Sequence, residues 1–383
     1  MASQSCCLPE QQKQTPDPSQ LDLIISSGGA AAVLGGTGSI AACQLAGLMN
    51  FRRIGGVSGG SIVAVLTAAG LPASQLLHMT LETSFSDHLK PEHGSMFRLL
   101  KLIGRGLKRE LAPEHIRVDQ VNSRHGLYGT DTLGHFIEKM VAEGMCKNGA
   151  CIAQAETSAL WPSRFWTMAT TKTGAQVVFD ADGVHHIDID GTRSTLSPTA
   201  ASTGTAVRAS CTIPGVLACI SYKDVWLYDG ALSRDGICPV GLQIRHFGAT
   251  ASNIIACRIG EDLHRPVSGR LHSLARKIWK VDPEFHWGPE TEGVIECRPQ
   301  IDHVHTLKFK LSEDEKWLAI LLGFEATLSQ LALHGILHGE RLDKARSVLR
   351  CLGFWRDAIP AALGSRQVLA DRAERCFSEH GLF

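Results

Sequence analysis

Between Leu21 and Ala69 the chain alternates short apolar runs with stretches of small residues. The run "LDLIISS" is short, rich in branched aliphatics and broken by Gly28-Gly29, which predicts a buried strand. The small-residue stretch from Ser39 to Leu48 predicts a tightly packed helix, "FRRIGG" a second short strand, and Ser61 to Ala69 a second helix. A strand–helix–strand–helix order implies an α/β domain whose central sheet is mostly parallel. Further on, "RFWTMATTKTGAQVVFDADG" reads as a strand, a Thr-Gly turn and a paired strand. "TAASTGTAVRASCTIPGVL" reads as a small-residue helix stopping before Pro214, "VWLYDGAL" as a strand ending at Asp229-Gly230, and "ASNIIACRIG" as another buried strand. Residues 74–160 and the chain from about His264 onward are expected to be mainly helical, with helices over Glu313 to His338 and Asp343 to Leu352.

The chain has 383 residues, 44% hydrophobic and 20% charged, enough to bury a sizeable core. Basic and acidic residues balance at 38 each, which removes any electrostatic case for nucleic acid as the main partner. The 12 cysteines include no CxxC pair, and no clustered His, Cys or carboxylate set suggests a metal; a reducing, cytoplasmic setting is expected. Residues 1–20 lack a basic and apolar leader pattern and read as a disordered lead-in. The apolar segment "WLAILLGFEATLSQLALHGILHG" carries Glu325 and two histidines, which argues against a transmembrane span.

The chemistry concentrates at Gly56-Val57-Ser58-Gly59-Gly60. A serine with glycine at both ±2 positions, after a strand and before a helix, fits a nucleophile elbow, where a strained turn holds the hydroxyl in the open. Gly56 and Gly60 provide the clearance, and the following helix aims N–H groups toward a developing oxyanion. Only about one strand precedes the strand that leads into Ser58, whereas in α/β-hydrolases several strands precede the nucleophile and Asp then His follow it. The fit is poor, although His303 and His305 could be cast as the base.

"GVSGGS" early, "AVRASCTIPGV" late and then "YDGAL" resemble, in that order, the patatin-like phospholipase family, over roughly Leu21 to Gly260. The resemblance implies a three-layer domain of sheet between helices, spanning 21–262, with a helical C-terminal extension over 263–383. It also implies a serine–aspartate dyad with Ser58 as nucleophile and Asp229, in Asp229-Gly230-Ala231, as general base. Asp235-Gly236 is the competing position, whereas Asp182-Gly183 and Asp190-Gly191 suit turns. The family's glycine-rich oxyanion loop maps onto Gly28, Gly29 and Ala30, or in a shifted register onto Gly35 and Gly36. Its Arg or Lys is replaced by Ala31 or Thr37 respectively.

The implied activity is hydrolysis of lipid acyl esters, with phospholipid the expected substrate, through an acyl-enzyme and without metal or cofactor. "RLHSLARKIWK", with Arg276, Lys277 and Lys280 around Ile278 and Trp279, would suit transient contact with a membrane surface. Two rivals stand beside this reading. Gly36-x-Gly38-x-x-Ala41 with Arg52-Arg53 forms a passable NADP-binding fingerprint. The other is a catalytically weak relative that binds lipid in the same cleft.

Overall fold

A computed structural model of the chain describes residues 18–83, 85–91, 128–147, 160–214, 216–233, 235–259, 287–304, 310–352 and 368–383. The interfacial segment Arg270 to Lys280, His305 and most of the N-terminal lead-in lie outside these residues. The described strands are β1 (Asp22–Ile25), β2 (Arg53–Gly56), β3 (Lys90–Pro91), β4 (Tyr128–Gly129), β5 (Phe165–Thr171), β6 (Gln176–Asp180), β7 (Gly183–Ile187), β8 (Arg193–Ser197), β9 (Ile220–Tyr222), β10 (Val225–Asp229), β11 (Ile254–Cys257) and β12 (Ile295–Cys297). The helices are α1 (Ala30–Leu45), α2 (Gly59–Ala68), α3 (Ala73–Glu82), α4 (Asp131–Lys147), α5 (Thr203–Ser210), α6 (Val240–Phe247), α7 (Glu313–Leu333), α8 (Gly339–Cys351) and α9 (Val368–Glu379).

The fold is mixed α/β, a central sheet flanked by helices, with the strand order β12-β11-β1-β2-β5-β6-β7-β8. Pairing is parallel from β12 to β5. Beyond β5 it turns antiparallel, because the connections from β5 to β8 are too short for a crossover. β12 extends the sheet from within the stretch read as a helical extension. β1 is buried at every position, including Asp22. Arg52 Nε and Nη2 grip that carboxylate at 3.0 and 2.5 Å, and Gln243 Nε2 donates to it at 2.8 Å, so the buried charge is fully partnered.

α1 starts at Ala30, nine residues before the predicted start at Ser39, and runs straight through Gly35, Gly36 and Gly38. Glycine disfavours a helix interior by about 1 kcal/mol relative to alanine. Here it allows α7 to cross at backbone contact. A Cβ on Gly38 would lie 1.9 Å from the Ile320 carbonyl oxygen, and one on Gly323 would lie 2.0 Å from that of Gly35. Ser39 and Thr327 share a 2.9 Å hydrogen bond across the same crossing.

Two sequence expectations fall with that observation. The dinucleotide fingerprint lies inside a helix instead of at a strand-to-helix turn, so it has no loop in which to cradle a pyrophosphate. Arg52 is committed to Asp22, and Arg53 lies 5.1 Å from the Phe247 ring centroid. The shifted oxyanion register fails for the same reason, since Gly35 and Gly36 are helical and buried. Asp182 and Asp190 sit in turns as expected: Asp180 accepts the Asp182 and Gly183 N–H groups, and Asp190 accepts that of Thr192.

Among the described residues α7 alone has the length and mean hydropathy of a membrane span, and 56% of its apolar window is buried inside the fold. A capping box of Ser312 and Glu315 begins it, and Asp314 accepts the Ala370 N–H at 2.9 Å. Every described cysteine is a free thiol.

The α1–α7 crossing yields a direct test. Gly38→Ala should destabilise the protein by about 3 kcal/mol, because a carbonyl, not a flexible side chain, occupies the needed space. Gly36→Ala, whose Cβ would meet side chains alone, the Ile25 methyl at 3.0 Å and Val63 at 3.5 Å, should cost less. Urea denaturation of both variants measures this, and equal stability of Gly38→Ala and wild type would contradict the crossing.

Candidate active site

The turn between β2 and α2 is possible only because its neighbours have no side chains. A Cβ on Gly56 would fall 2.5 Å from the Gly60 carbonyl oxygen, and one on Gly60 2.3 Å from that of Ser26. On Gly59 it would fall 2.2 Å from the Gly29 carbonyl oxygen. Ser58 itself, at the N-cap of α2, has φ 52° and ψ −130°. For a residue with a Cβ such a conformation costs about 1–3 kcal/mol and persists only where the surroundings impose it.

Asp229 reaches Ser58 through sheet topology. β2 climbs one edge of β5, pairing Ile54 to Gly56 with Phe165 to Thr167. β10 descends the same edge from the other end, pairing Leu227 to Asp229 with Thr171 to Ala169. The two strands end facing each other, one residue of β5 apart. Gly230 lets the chain leave this point, since a Cβ there would lie 2.3 Å from the Met168 carbonyl oxygen.

Ser58 Oγ donates to Asp229 Oδ2 at 2.7 Å, and the Ala231 N–H donates to Oδ1 at 2.9 Å. Ser58 and Asp229 are only 2% and 4% exposed. Burial pushes the Asp229 carboxyl up to about 6, against the opposing pull of the Ser58 and Ala231 hydrogen bonds. The backbone of both residues is held as well. Ser58 N–H donates to Ser210 Oγ at 2.9 Å, Asp229 N–H to the Thr212 carbonyl at 2.8 Å, and Ser61 Oγ to the Ser58 carbonyl at 2.6 Å. Sequence reasoning assigned no role to Ser210 or Thr212, although both lie in the "AVRASCTIPGV" segment that it singled out.

Gly28, Gly29 and Ala30 form the turn from β1 into α1, beside the elbow. Gly29 has φ 57° and ψ −131°, nearly the conformation of Ser58. Among the described residues the N–H groups of Gly28, Gly29 and Ala30 have no hydrogen-bond acceptor, and α1 adds the positive end of its dipole. Ala31, at the family's cation position, is buried. A cavity of about 60 Å³ lies between the first turns of α1 and α2, walled by Ala30, Leu34, Ile62, Leu133 and Phe136, with Lys316 and His88 among its other lining residues.

The competing residues are engaged elsewhere. Asp235 pairs with Arg245 Nη2 and Gln176 Nε2, both at 2.5 Å. His303 Nε2 faces the Glu315 carbonyl at 3.0 Å. Among the described residues no group of three His, Cys, Asp or Glu side chains is arranged to hold a metal ion.

The backbone at residue 58 can be probed without any assay of activity. Ser58→Ala and Ser58→Gly both remove the hydroxyl, but only glycine relaxes at positive φ. The glycine variant should be the more stable by about 1 kcal/mol in chemical denaturation. The reverse order would mean that residue 58 is unstrained.

Among solved structures the chain is similar to the type III effector protein ExoU, at 11% identity and a TM-score of 0.40, over 95% of this chain and 69% of that one. It is similar to ExoU in complex with SpcU from Pseudomonas aeruginosa at 12% identity and a TM-score of 0.36, over 95% and 67%. Similarity to VipD from Legionella pneumophila is at 12% identity and a TM-score of 0.37, over 94% and 80%. No curated protein matches. Those TM-scores are too low to add to an assignment, which rests on sequence. The sequence model of the patatin-like phospholipase family matches residues 23–240, over half of the 383-residue chain and from β1 through the elbow to beyond Asp229, and the chain belongs to that family.

Proposed function

We propose that this protein is a phospholipase A-type lipid acyl hydrolase that works through a Ser58–Asp229 dyad and a covalent acyl-enzyme. Membership of the patatin-like phospholipase family supports lipid hydrolysis. The observation that carries the finer reading is the 2.7 Å hydrogen bond from Ser58 Oγ to Asp229 on a strained, glycine-cleared elbow.

Asp229 accepts the Ser58 proton as Oγ attacks the ester carbonyl, then returns it to the leaving alcohol. Water enters, and Asp229 takes its proton as the hydroxide attacks the acyl carbonyl. The same proton passes to Ser58 Oγ as it leaves, releasing free acid and restoring the dyad. The N–H groups of Gly28, Gly29 and Ala30 receive the negative charge on the carbonyl oxygen in both steps. A carboxyl raised to about 6 is a better match to a serine hydroxyl than an ordinary aspartate, while still ionised at neutral pH. The apolar cavity beside Ala30 and Ile62 suits the first methylenes of an acyl chain. Phospholipid is the proposed substrate, met at a membrane surface from the cytoplasm, where the free thiols remain reduced. The buried Ala31 favours one second reading, a catalytically weak lipid-binding relative. Backbone donors do not require the missing cation.

Turnover of a soluble short-chain ester tests this. Ser58→Ala should abolish it together with fluorophosphonate labelling, and Asp229→Asn should lower kcat by about 10³-fold or more. Asp235→Asn should cost little. Wild-type turnover in Ser58→Ala would overturn the nucleophile, and loss in His303→Ala with retention in Asp229→Asn would replace the dyad by a triad.

The ionised carboxylate is the active form, so activity should fall as pH drops through about 6. The same raised carboxyl makes ionisation cost native stability as pH rises from 3.8 to about 6, and that cost persists above it. Asp229→Asn should therefore raise Tm at neutral pH. EDTA should leave turnover of the soluble ester unchanged, and loss on chelation restored by added metal would contradict a dyad acting alone.

A further inference from the structure

The "RASCTIPG" segment contains neither proposed catalytic residue, yet it touches both. α5 ends at Ser210 and packs beside β5, along whose edge β2 and β10 approach each other, and beside β10, which ends at Asp229. Ser210 and Thr212 are completely buried. Ser210 Oγ takes the elbow N–H at 2.9 Å, and the Thr212 carbonyl takes the Asp229 N–H at 2.8 Å. Cys211, between them, places Sγ 3.8 Å from Ser61 Oγ, the hydroxyl that binds the Ser58 carbonyl.

The segment is itself anchored. Cys211 N–H closes the helix onto the Val207 carbonyl at 3.0 Å, and Thr212 Oγ1 donates to that of Arg208 at 2.8 Å. Arg208 in turn reaches Thr130 Oγ1 at 3.1 Å and the Asp131 carboxylate at 2.5 Å. Ser58, as N-cap of α2, has an N–H outside the helical ladder, and it is buried. Without Ser210 Oγ that donor would lose its acceptor, and the strained backbone would lose the bond that fixes its direction.

We propose that Ser210–Cys211–Thr212 is the positioning element of the dyad, a single rigid helix end that sets the separation of Ser58 and Asp229, with Ser210 its positioning residue. Two backbone donors, one from each partner, end on the same three residues. Loss of either bond therefore frees one partner relative to the other and changes the Ser58–Asp229 distance. The element rests on the dyad reading for its catalytic consequence, but its geometry is independent of turnover. The thiol of Cys211, the titratable group in contact with this site, is pushed above its ordinary range by burial and by Asp229, and so stays neutral.

The test is Ser210→Ala, followed by carbon NMR titration of the Asp229 carboxyl in the full chain and by kcat and KM on a soluble ester. With the Ser58 hydrogen bond loosened and burial unchanged, the carboxyl should titrate above its position in wild type, where that hydrogen bond opposes the effect of burial. A displacement of this kind should lower kcat by about 10- to 100-fold. KM should stay within about twofold, because ground-state binding is untouched. Ser210→Cys, which keeps a weak acceptor of similar size, should fall between Ala and wild type, and it carries the test if the alanine variant does not fold. Thr67→Val removes an equally buried hydroxyl of α2, bonded at 2.8 Å to the Val63 carbonyl. It should lower Tm without moving the titration or kcat. An unchanged Asp229 titration in the Ser210 variants, or a shift as large in Thr67→Val, overturns the proposal. Absence of both ester turnover and fluorophosphonate labelling in wild type would instead sink the hydrolase reading, and the titration would still decide the positioning.

Discussion

The hydrogen bond between Ser58 and Asp229 exists because β2 and β10 share one edge of β5 and stop one residue short of each other. Everything around the site serves that meeting. β2 must turn away abruptly, which requires the left-handed backbone at Ser58, and β10 must leave just as sharply, which requires Gly230 against the Met168 carbonyl. Each exit crowds backbone against backbone, so glycine is demanded by contact distance as much as by conformation. The helix end at Ser210 to Thr212 then ties the two exits together.

The turn at Gly29 repeats the turn at Ser58 almost angle for angle, and the two are in contact through Gly59 and the Gly29 carbonyl. Two parallel strands, each followed by a helix whose N-terminus faces the same point, converge two positive helix ends on one place. That convergence requires α1 and α2 to lie close, and α7 to lie close behind α1. The small residues of α1 make this packing possible at the expense of intrinsic helix propensity.

Three buried aspartates show how the surroundings divide labour among identical side chains. Asp22 is matched by Arg52 and Gln243, and Asp235 by Arg245 and Gln176, so both are fixed as structural charges. Asp229 receives only neutral donors, from Ser58 and Ala231, and burial raises its carboxyl to about 6. A carboxylate without a cation is costly to bury as a structural device, and it retains the basicity that the proposed chemistry uses.

Local pattern was enough to read β1, β2, α2, β10 and β11, because short aliphatic runs bounded by glycine or aspartate leave few alternatives. The elbow glycines and the Asp-Gly-Ala step were readable for the same reason, since they answer steric demands made within a few residues. The start of α1 was not readable. Gly35, Gly36 and Gly38 look like breakers in one dimension, and only the crossing of α7, nearly 300 residues away, turns them into helix. β12 joined the sheet from a stretch with no strong strand signal, by pairing with β11. Sequence put Asp229 ahead of Asp235, but their partners were not legible, because sequence shows that a carboxylate is present and tertiary structure decides whether a cation stands beside it. The roles of Ser210 and Thr212 lay furthest from the sequence. A serine hydroxyl and a backbone carbonyl carry no signal of their own until folding brings two distant N–H groups to them.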